Sequence, residues 1–515
     1  MKIAFRVDAS LQIGSGHVMR CLTLAEALRE RGAETHFVCR ELDGHLGGLI
    51  QAQGFDVCLL PVPGSRHKSL DWSAHAPWLE VHWQQDAKET IEVMQNVGPV
   101  DWLVVDHYAL DMNWEIMLLV SATKVMAIDD LADRPHDCSL LLDQNFYADM
   151  PSRYEKLLPH SCVQLLGPKY ALLRAEFAEA GKELHQRVGS IKRLFMFFGG
   201  ADVNNETGKA LKAIHRLNRS DIIVDVVVGS TNPHQFAIQE FCQKYENLRY
   251  HCQVDNMANL MVAADLAIAA GGATTWERCC LGLPTLVVAT ANNQLEMCLY
   301  GAEKGLFHYL GKAEHVSVDD YCVALSTFLA ARENLSSFSA RGRELVDGRG
   351  VQRVCNRLIH SEIVLRPAVA DDCNKIYTWR NAEETRRHIF ESRPIGETEH
   401  REWFARSLAD PDRFIFIGEI AKQPIGVFRL DLDGEHAKVS IYMVPGRSGR
   451  GLGLRLIETG IEWVQKNLNS VKNLIADIKP ENLQSLKIFS DCGFVEHHRV
   501  MKKQFKDNPF FGRGS

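Results

Sequence analysis

The residues with the most chemistry in the least space are Gly14-Ser15-Gly16-His17-Val18-Met19-Arg20-Cys21. They follow an apolar run, Ile3-Ala4-Phe5-Arg6-Val7, and precede a helical pattern with Met19, Leu22, Leu24, Ala25 and Leu28. A strand, a glycine turn and a helix start form an anion site. Glycine lets the backbone approach a ligand, and unpaired N–H groups present the positive end of the helix dipole. His17 stands in the first turn of that helix, where the dipole disfavours an imidazolium. A neutral ring beside a diphosphate could take a proton from water.

Two further turns have the same form. Arg193-Leu194-Phe195-Met196-Phe197-Phe198 stops at Gly199-Gly200-Ala201-Asp202, and Leu266-Ala267-Ile268-Ala269-Ala270 stops at Gly271-Gly272-Ala273-Thr274-Thr275-Trp276-Glu277. The second offers backbone N–H groups and two hydroxyls to a diphosphate, and Glu277 a carboxylate to ribose hydroxyls. One such turn is ordinary punctuation; three, each before a helix, is a pattern.

These turns need alternating strands and helices to hold them. Residues 1–150 supply short apolar strands at 37–39, 57–60, 102–106, 124–130 and 140–143, several ending in carboxylates. Residues 151–190 read as a crossover with a helix from about 172 to 180, and a second alternating unit follows with strands at 193–198, 222–229, 266–270 and 284–288. Apolar strands with polar carboxyl ends suit parallel sheets covered by helices, and two such halves imply a cleft. A polar helix spans 336–357. A boundary is expected near 355, after which the pattern becomes mixed strand and helix.

Composition sets limits. At 515 residues about three domains are expected. A net charge of −7 without acidic or basic blocks argues against a nucleic-acid groove or a polybasic membrane patch. Fourteen cysteines without a C-x-x-C pair point to reduced thiols, and so to a cytoplasmic protein. The first residues run straight into a strand, so no signal peptide or membrane helix is expected. Asp129 and Asp130 are adjacent on a strand and face opposite sides, so no metal is expected. Asp8 would either orient His17 or cap a turn, and His107 reads as structural or as an orienter.

The combination Gly14–Arg20, Asp106-His107-Tyr108, Gly199–Asp202, Gly271–Thr274 and Asn293-Gln294 resembles the nucleotide-sugar hydrolases of pseudaminic acid biosynthesis, relatives of the GT-B glycosyltransferases, over residues 1–350. The resemblance implies an α/β fold with a GT-B-like pair of Rossmann-type domains, at 1–155 and 156–350. It implies a UDP-sugar substrate, UDP-2,4-diacetamido-2,4,6-trideoxy-β-L-altrose, hydrolysed with His17 as base. Gly14, Gly16, Arg20, Tyr108, Gly199, Gly200, Gly272, Thr274, Thr275, Glu277, Asn293 and Gln294 would bind it. UDP leaves readily, so the paired carboxylates of ordinary glycosidases are unnecessary.

The last third carries its own signature. An alternating strand, 438–444, enters Ser448-Gly449-Arg450-Gly451-Leu452-Gly453 and then a helix from 454 to 467. With Asn482-Leu483-Gln484-Ser485 and Cys492-Gly493-Phe494, this resembles the GNAT acetyltransferases, whose pyrophosphate loop binds coenzyme A through consecutive N–H groups. Trp379-Arg380-Asn381 and His400 to Phe404 narrow the likeness to the acetyltransferase of the same pathway. The implied domain is an α+β GNAT domain at 362–508 using acetyl-CoA as co-substrate on the 4-amino group of a UDP-4-amino-4,6-dideoxy sugar. Met443, Val444, Arg450, Gly451, Gly453, Asn482 and Ser485 would bind it. The chain departs from the pattern at Ser448, where glutamine or arginine is usual, and at Phe489, where many GNAT enzymes place a tyrosine acid. Water or Tyr442 could serve instead; Glu391, Asp477 and Glu481 are candidate bases. The alternatives are a glycosyltransferase fused to an acetyltransferase, or a non-catalytic nucleotide-sugar-binding module.

Overall fold

A computed structural model of the chain describes residues 1–62, 73–150, 152–181, 187, 190–330, 333–359, 363–389, 392–420, 422–447 and 451–496. The chain divides into two compact units, Met1–Ile359 and His360–Ser515.

The first unit holds two parallel sheets. One contains β1 (Lys2–Val7), β2 (Glu34–Arg40), β3 (Asp56–Leu60), β4 (Val100–Asp106), β5 (Ala122–Ile128), β6 (Leu140–Asp143) and β7 (Val163–Leu166), in the order β3-β2-β1-β4-β5-β6-β7. The other contains β8 (Arg193–Phe197), β9 (Ile223–Val228), β10 (Leu248–Cys252), β11 (Leu266–Ala270), β12 (Thr285–Ala289) and β13 (His308–Lys312), in the order β10-β9-β8-β11-β12-β13. The strands are apolar because both faces are covered. Along β1, Ile3, Phe5 and Val7 enter one core cluster while Ala4 enters the cluster on the opposite face, with Leu103 and Val105.

Strand order reverses beside β1, between β2 and β4, and beside β8, between β9 and β11. Crevices at the carboxyl ends of such reversals are where open α/β sheets take ligands. The three glycine turns follow β1, β8 and β11, and Asp106-His107-Tyr108 ends β4. This is the GT-B-like pair expected from the sequence.

In this unit three strands were not expected: β7, β10 and β13. Each is a sheet edge, where one side lacks a partner strand and the sequence need not be continuously apolar. Because β7 pairs with β6, the first sheet runs past the expected domain end at 155 into the expected crossover. The helix expected from 172 begins at Ala175. The expected polar helix at 336–357 is two helices, Glu333–Leu345 and Gly350–Ile359. The second returns to the first half: Val351, Val354, Cys355 and Leu358 share a core cluster with Ile3 and Phe5, and Trp102 Nε1 donates to the Leu358 carbonyl at 3.0 Å. Gly350 permits this return, since a Cβ there would stand 2.2 Å from the Ala171 carbonyl oxygen.

The second unit is a five-stranded sheet of β14 (Val364–Pro367), β15 (Arg413–Ile420), β16 (Gln423–Asp433), β17 (His436–Met443) and β18 (Asn473–Ile475), in chain order. The first four pair antiparallel. β17 and β18 run parallel and pair only at His436–Lys438 with Asn473–Ile475. The Leu452–Asn467 helix buries Leu456 and Ile457 against this sheet. Its Gly460 allows contact with Phe428, whose ring carbon would lie 2.1 Å from an added Cβ. Among the described residues no helix is long and apolar enough to cross a membrane.

Candidate active sites

In the first unit, Gly14 closes a tight turn onto Ser10 with φ of 81°, a conformation that favours glycine, and delivers Gly16 to the start of the Gly16–Arg29 helix. His17, one residue on, is buried, with 8% of its surface exposed. Its Nδ1 stands 2.6 Å from Asp106 Oδ1. An Nδ1–H donated to that carboxylate leaves Nε2 as the proton acceptor. Arg20, one helical turn further, clamps the same carboxylate, with Nε to Oδ2 and Nη2 to Oδ1, each 2.6 Å. Burial alone would raise the Asp106 carboxyl; Arg20 and then His17 override it and hold the group far below the usual carboxylate range. Asp106 is therefore an anion that fixes the ring.

The orienter is not Asp8. Asp8 Oδ1 accepts from Arg6 Nη1 and from the Arg40 backbone N–H, both at 2.6 Å, and Oδ2 lies 3.4 Å from His107 Nε2. It belongs to a fully buried network with Arg6, Arg40 and Asp86 beneath the site, where His107 is also buried and burial pushes its imidazole down to about 4. Asp129 and Asp130, expected on a strand, instead follow the end of β5 at Ile128, and they meet different partners: Asp129 Oδ1 meets Arg134 Nη1 at 2.7 Å, while Asp130 Oδ1 accepts from Tyr108 Oη at 2.5 Å. Among the described residues no group of acidic, histidine and cysteine side chains is arranged to hold a metal ion.

The second half meets this constellation. A Cβ on Gly200 would lie 3.8 Å from Ser15 Oγ, so the Gly199–Gly200 turn faces the Gly14–Gly16 turn. Gly199 has φ of 94°, and Asp202 caps the next helix by accepting from the Glu206 and Thr207 N–H groups. Trp276 Nε1 donates to Asn145 Oδ1 at 3.0 Å, and Asn145 Nδ2 donates to Asp130 Oδ2 at 3.0 Å. The Thr274 and Thr275 hydroxyls, expected to face a diphosphate, both accept from Arg278, at 2.8 and 3.0 Å. Each hydroxyl keeps its O–H donor and one lone pair. Gln294 caps its own turn through Thr290, with its amide nitrogen 3.6 Å from the Cβ position of Gly272; Asn293 beside it is exposed. Glu277 Oε2 is buried with no hydrogen-bond partner among the described residues, and Oε1 lies 4.0 Å from Arg174. Burial, opposed by Arg174, pushes the Glu277 carboxyl up to about 7.

Three neighbours of His17 escaped sequence reasoning. In the sequence Asp106 stands only as the end of an apolar strand. His75 and Trp78 lie in a stretch without periodicity, and their rings gather at His17 and Tyr108.

In the second unit a cavity of about 600 Å³ opens where β17 and β18 part, between Val439–Met443 and Ala476–Ile478. Met443, Gly451, Gly453, Asn482 and Ser485 line it; Arg450, Ser448 and Glu391 lie outside the described residues. Val444 does not line it. Its N–H donates to the Ile425 carbonyl on β16 at 2.9 Å. By the two-residue alternation of antiparallel pairing, the Met443 N–H is the one that faces away from β16 toward the cavity. Gly451 caps the Leu452–Asn467 helix with φ of 71°. Asn482 Oδ1 accepts from the Ser485 N–H at 3.1 Å, which makes it a helix cap on the cavity wall. Phe489 and Tyr442 both reach the cavity, and burial pushes the Tyr442 phenol well up. Asp477 is held 2.5 Å from Lys438, and Glu481 is exposed. Arg380, Glu384, His388 and Arg429, none of them expected as site residues from the sequence, form another wall.

Two stretches of the chain match known domains. Residues 362–495 match the acetyltransferase (GNAT) domain, and residues 194–299 match the glycosyltransferase family 28 C-terminal domain. The UDP-2,4-diacetamido-2,4,6-trideoxy-beta-L-altropyranose hydrolase of Campylobacter jejuni is 28% identical over 306 residues, 59% of this chain and 97% of the relative. An uncharacterized protein of Methanocaldococcus jannaschii is 23% identical over 96% of both chains. The spore coat polysaccharide biosynthesis protein SpsG of Bacillus subtilis is 24% identical over 69% of this chain and 96% of its own. The chain is a sugar-nucleotide-modifying enzyme built from a glycosyltransferase-like part and a GNAT acetyltransferase domain.

Proposed function

We propose that the second unit acetylates the 4-amino group of a UDP-4-amino-4,6-dideoxy sugar with acetyl-CoA. The first unit then hydrolyses the product, UDP-2,4-diacetamido-2,4,6-trideoxy-β-L-altrose, to the free sugar and UDP, as in pseudaminic acid biosynthesis. The observation that carries the hydrolase reading is the His17–Asp106 pair, placed where the glycine turns after β1 and β8 face each other. With Nδ1–H on the carboxylate, Nε2 takes a proton from a water attacking the anomeric carbon. The C–O bond to UDP breaks, and the leaving diphosphate carries its own negative charge, so it needs N–H donors rather than a strong acid.

Gly14, Gly16, Gly199, Gly200 and Gly272 bring backbone to the diphosphate, and Arg20 holds Asp106 beside it. Glu277 accepts from the ribose hydroxyls, and Tyr108, Asn293 and Gln294 face the sugar. In the second unit the Met443 N–H polarises the thioester carbonyl, Gly451, Gly453 and Arg450 take the coenzyme A pyrophosphate, and Tyr442 supplies the proton for the departing thiolate. The domains are assigned as 1–166 with the returning 350–359 helix, 167–349, and the acetyltransferase from 362. No metal and no nucleic acid enters this reading, and the enzyme works in the cytoplasm.

A mass and NMR time course with the UDP-4-amino sugar tests both steps. Free diacetamido sugar and UDP should appear only with acetyl-CoA present, and His17→Ala should accumulate the acetylated UDP-sugar. Accumulation in the unmutated protein would sink the hydrolase assignment. The match to a glycosyltransferase domain favours a second reading, transfer of the sugar to an acceptor; that reading gains if UDP release awaits an added acceptor.

A further inference from the structure

The proposed catalytic histidine stands against a wall of rings. Tyr108 meets His17 edge-on with centroids 4.7 Å apart, and Trp78 meets it edge-on at 6.4 Å. Trp78 stacks on Tyr108 at 5.4 Å and 30°, and His75 packs on both, at 4.7 Å from Trp78 and 5.2 Å from Tyr108. Tyr108 is buried and its hydroxyl is committed to Asp130, so it presents its ring. Trp78 and His75 are only partly covered. His75 Nδ1 is a buried polar atom without a hydrogen-bond partner among the described residues.

Aromatic faces pay little to lose water and attract C–H-rich surfaces. They cannot satisfy hydroxyl groups. A wall of this kind beside the scissile position therefore discriminates among sugars by how much apolar surface they carry. Beyond the hydrolase reading, on which it rests, we propose that Trp78 and His75 select the sugar: Trp78 packs on the methyl groups of an N-acetylated 6-deoxy hexose, and His75 accepts or donates one hydrogen bond to the 4-acetamido group. A hexose with a 6-hydroxyl would leave that hydroxyl against the indole, unpaired.

The test compares UDP-2,4-diacetamido-2,4,6-trideoxyaltrose with UDP-N-acetylglucosamine, which keeps its 6-hydroxyl. Trp78→Ala should raise KM for the first about tenfold, with kcat and the inhibition constant of UDP nearly unchanged. The ratio of kcat/KM between the two sugars should shrink, Trp78→Phe should restore most of it, and His75→Ala should weaken the first sugar alone. An unchanged ratio in folded Trp78→Ala and His75→Ala, or an equal loss for both sugars and UDP, would overturn the selection. If the unmutated protein turns over neither sugar, the hydrolase reading has failed. Calorimetry on intact UDP-sugar against UDP still reads the wall: a loss for the UDP-sugar alone upholds it, and equal affinities in parent and Trp78→Ala overturn it.

Discussion

Trp276, in the second α/β half of the first unit, donates its indole N–H to the side-chain carbonyl of Asn145, in the first half, at 3.0 Å. From Asn145 the bonds run to Asp130, and from Asp130 to Tyr108 and Arg20, which closes on the Asp106 carboxylate beside His17. The half with the Gly271–Glu277 turn is thus wired to the candidate base.

That connection should be measurable as coupling. Asn145→Ala leaves the Trp276 N–H buried and unpaired, a cost of about 1–3 kcal/mol. It also loosens Asp130, so kcat for UDP release should fall about tenfold while UDP affinity holds. With Trp276→Phe added, the double variant should lose little more than the worse single one. Full additivity in a double-mutant cycle would deny the link.

Asp106→Asn tests the dyad. The amide keeps the shape but loses the charge that both Arg20 and His17 face, and it can present its NH₂ to His17 and turn the ring's acceptor nitrogen inward. We expect kcat for UDP-sugar hydrolysis to drop by roughly 10²–10⁴ with a small change in KM, by analogy of geometry with carboxylate–histidine pairs. Buried Arg20 loses its main counter-charge, so a lower melting temperature should accompany the loss. Wild-type turnover in the folded variant would remove Asp106 from the mechanism.

Glu277 sets a pH dependence. Its folded pKa is raised, from 4.5 to about 7, mainly by burial. The native state therefore keeps a proton that the unfolded chain has released. Stability falls as pH rises between those values, and the cost, on the order of 3 kcal/mol, is fully present above about pH 7. Glu277→Gln removes the titration. The variant's stability relative to the parent should climb from pH 5 to pH 8 in denaturant titrations, and a flat difference would contradict the shift.

In the second unit the Tyr442 phenol, which burial pushes further up, carries its proton at neutral pH and can donate it. Phe489 stands where a tyrosine is usual. Tyr442→Phe should lower kcat of acetyl transfer about 10- to 100-fold with KM for acetyl-CoA nearly unchanged. An unaffected kcat would assign the proton to water.

The sequence was most readable where physics is local. A glycine after an apolar run announces its turn, so all three turns and His17 were found, together with the central strands whose two buried faces demand continuous apolar residues. Asp106 was visible as a strand end, but its partner lies 89 residues away, and no local pattern records that pairing. The edge strands β7, β10 and β13 escaped because an edge relaxes the apolar requirement. The Thr274 and Thr275 hydroxyls each accept from Arg278, one turn along the same helix, a contact that no local pattern in the sequence announces. Trp78 sits in a single 3₁₀ turn, Ala76–Leu79, which His75 precedes, and one such turn is too short to leave a periodicity in the sequence.

The returning helix has a mechanical consequence. The chain passes between the two halves of the first unit twice, once after Tyr170 and once before Gly350, and Gly350 lets the passages lie in van der Waals contact. Arg353 ties them again by donating to the Lys169 carbonyl at 2.8 Å. Two adjacent straps leave one easy axis: the halves can rock about that seam, opening and shutting the far side of the cleft, but sliding would have to stretch both straps. Ligands would then enter and leave through one gape, with its pivot at the space that a missing side chain leaves at residue 350.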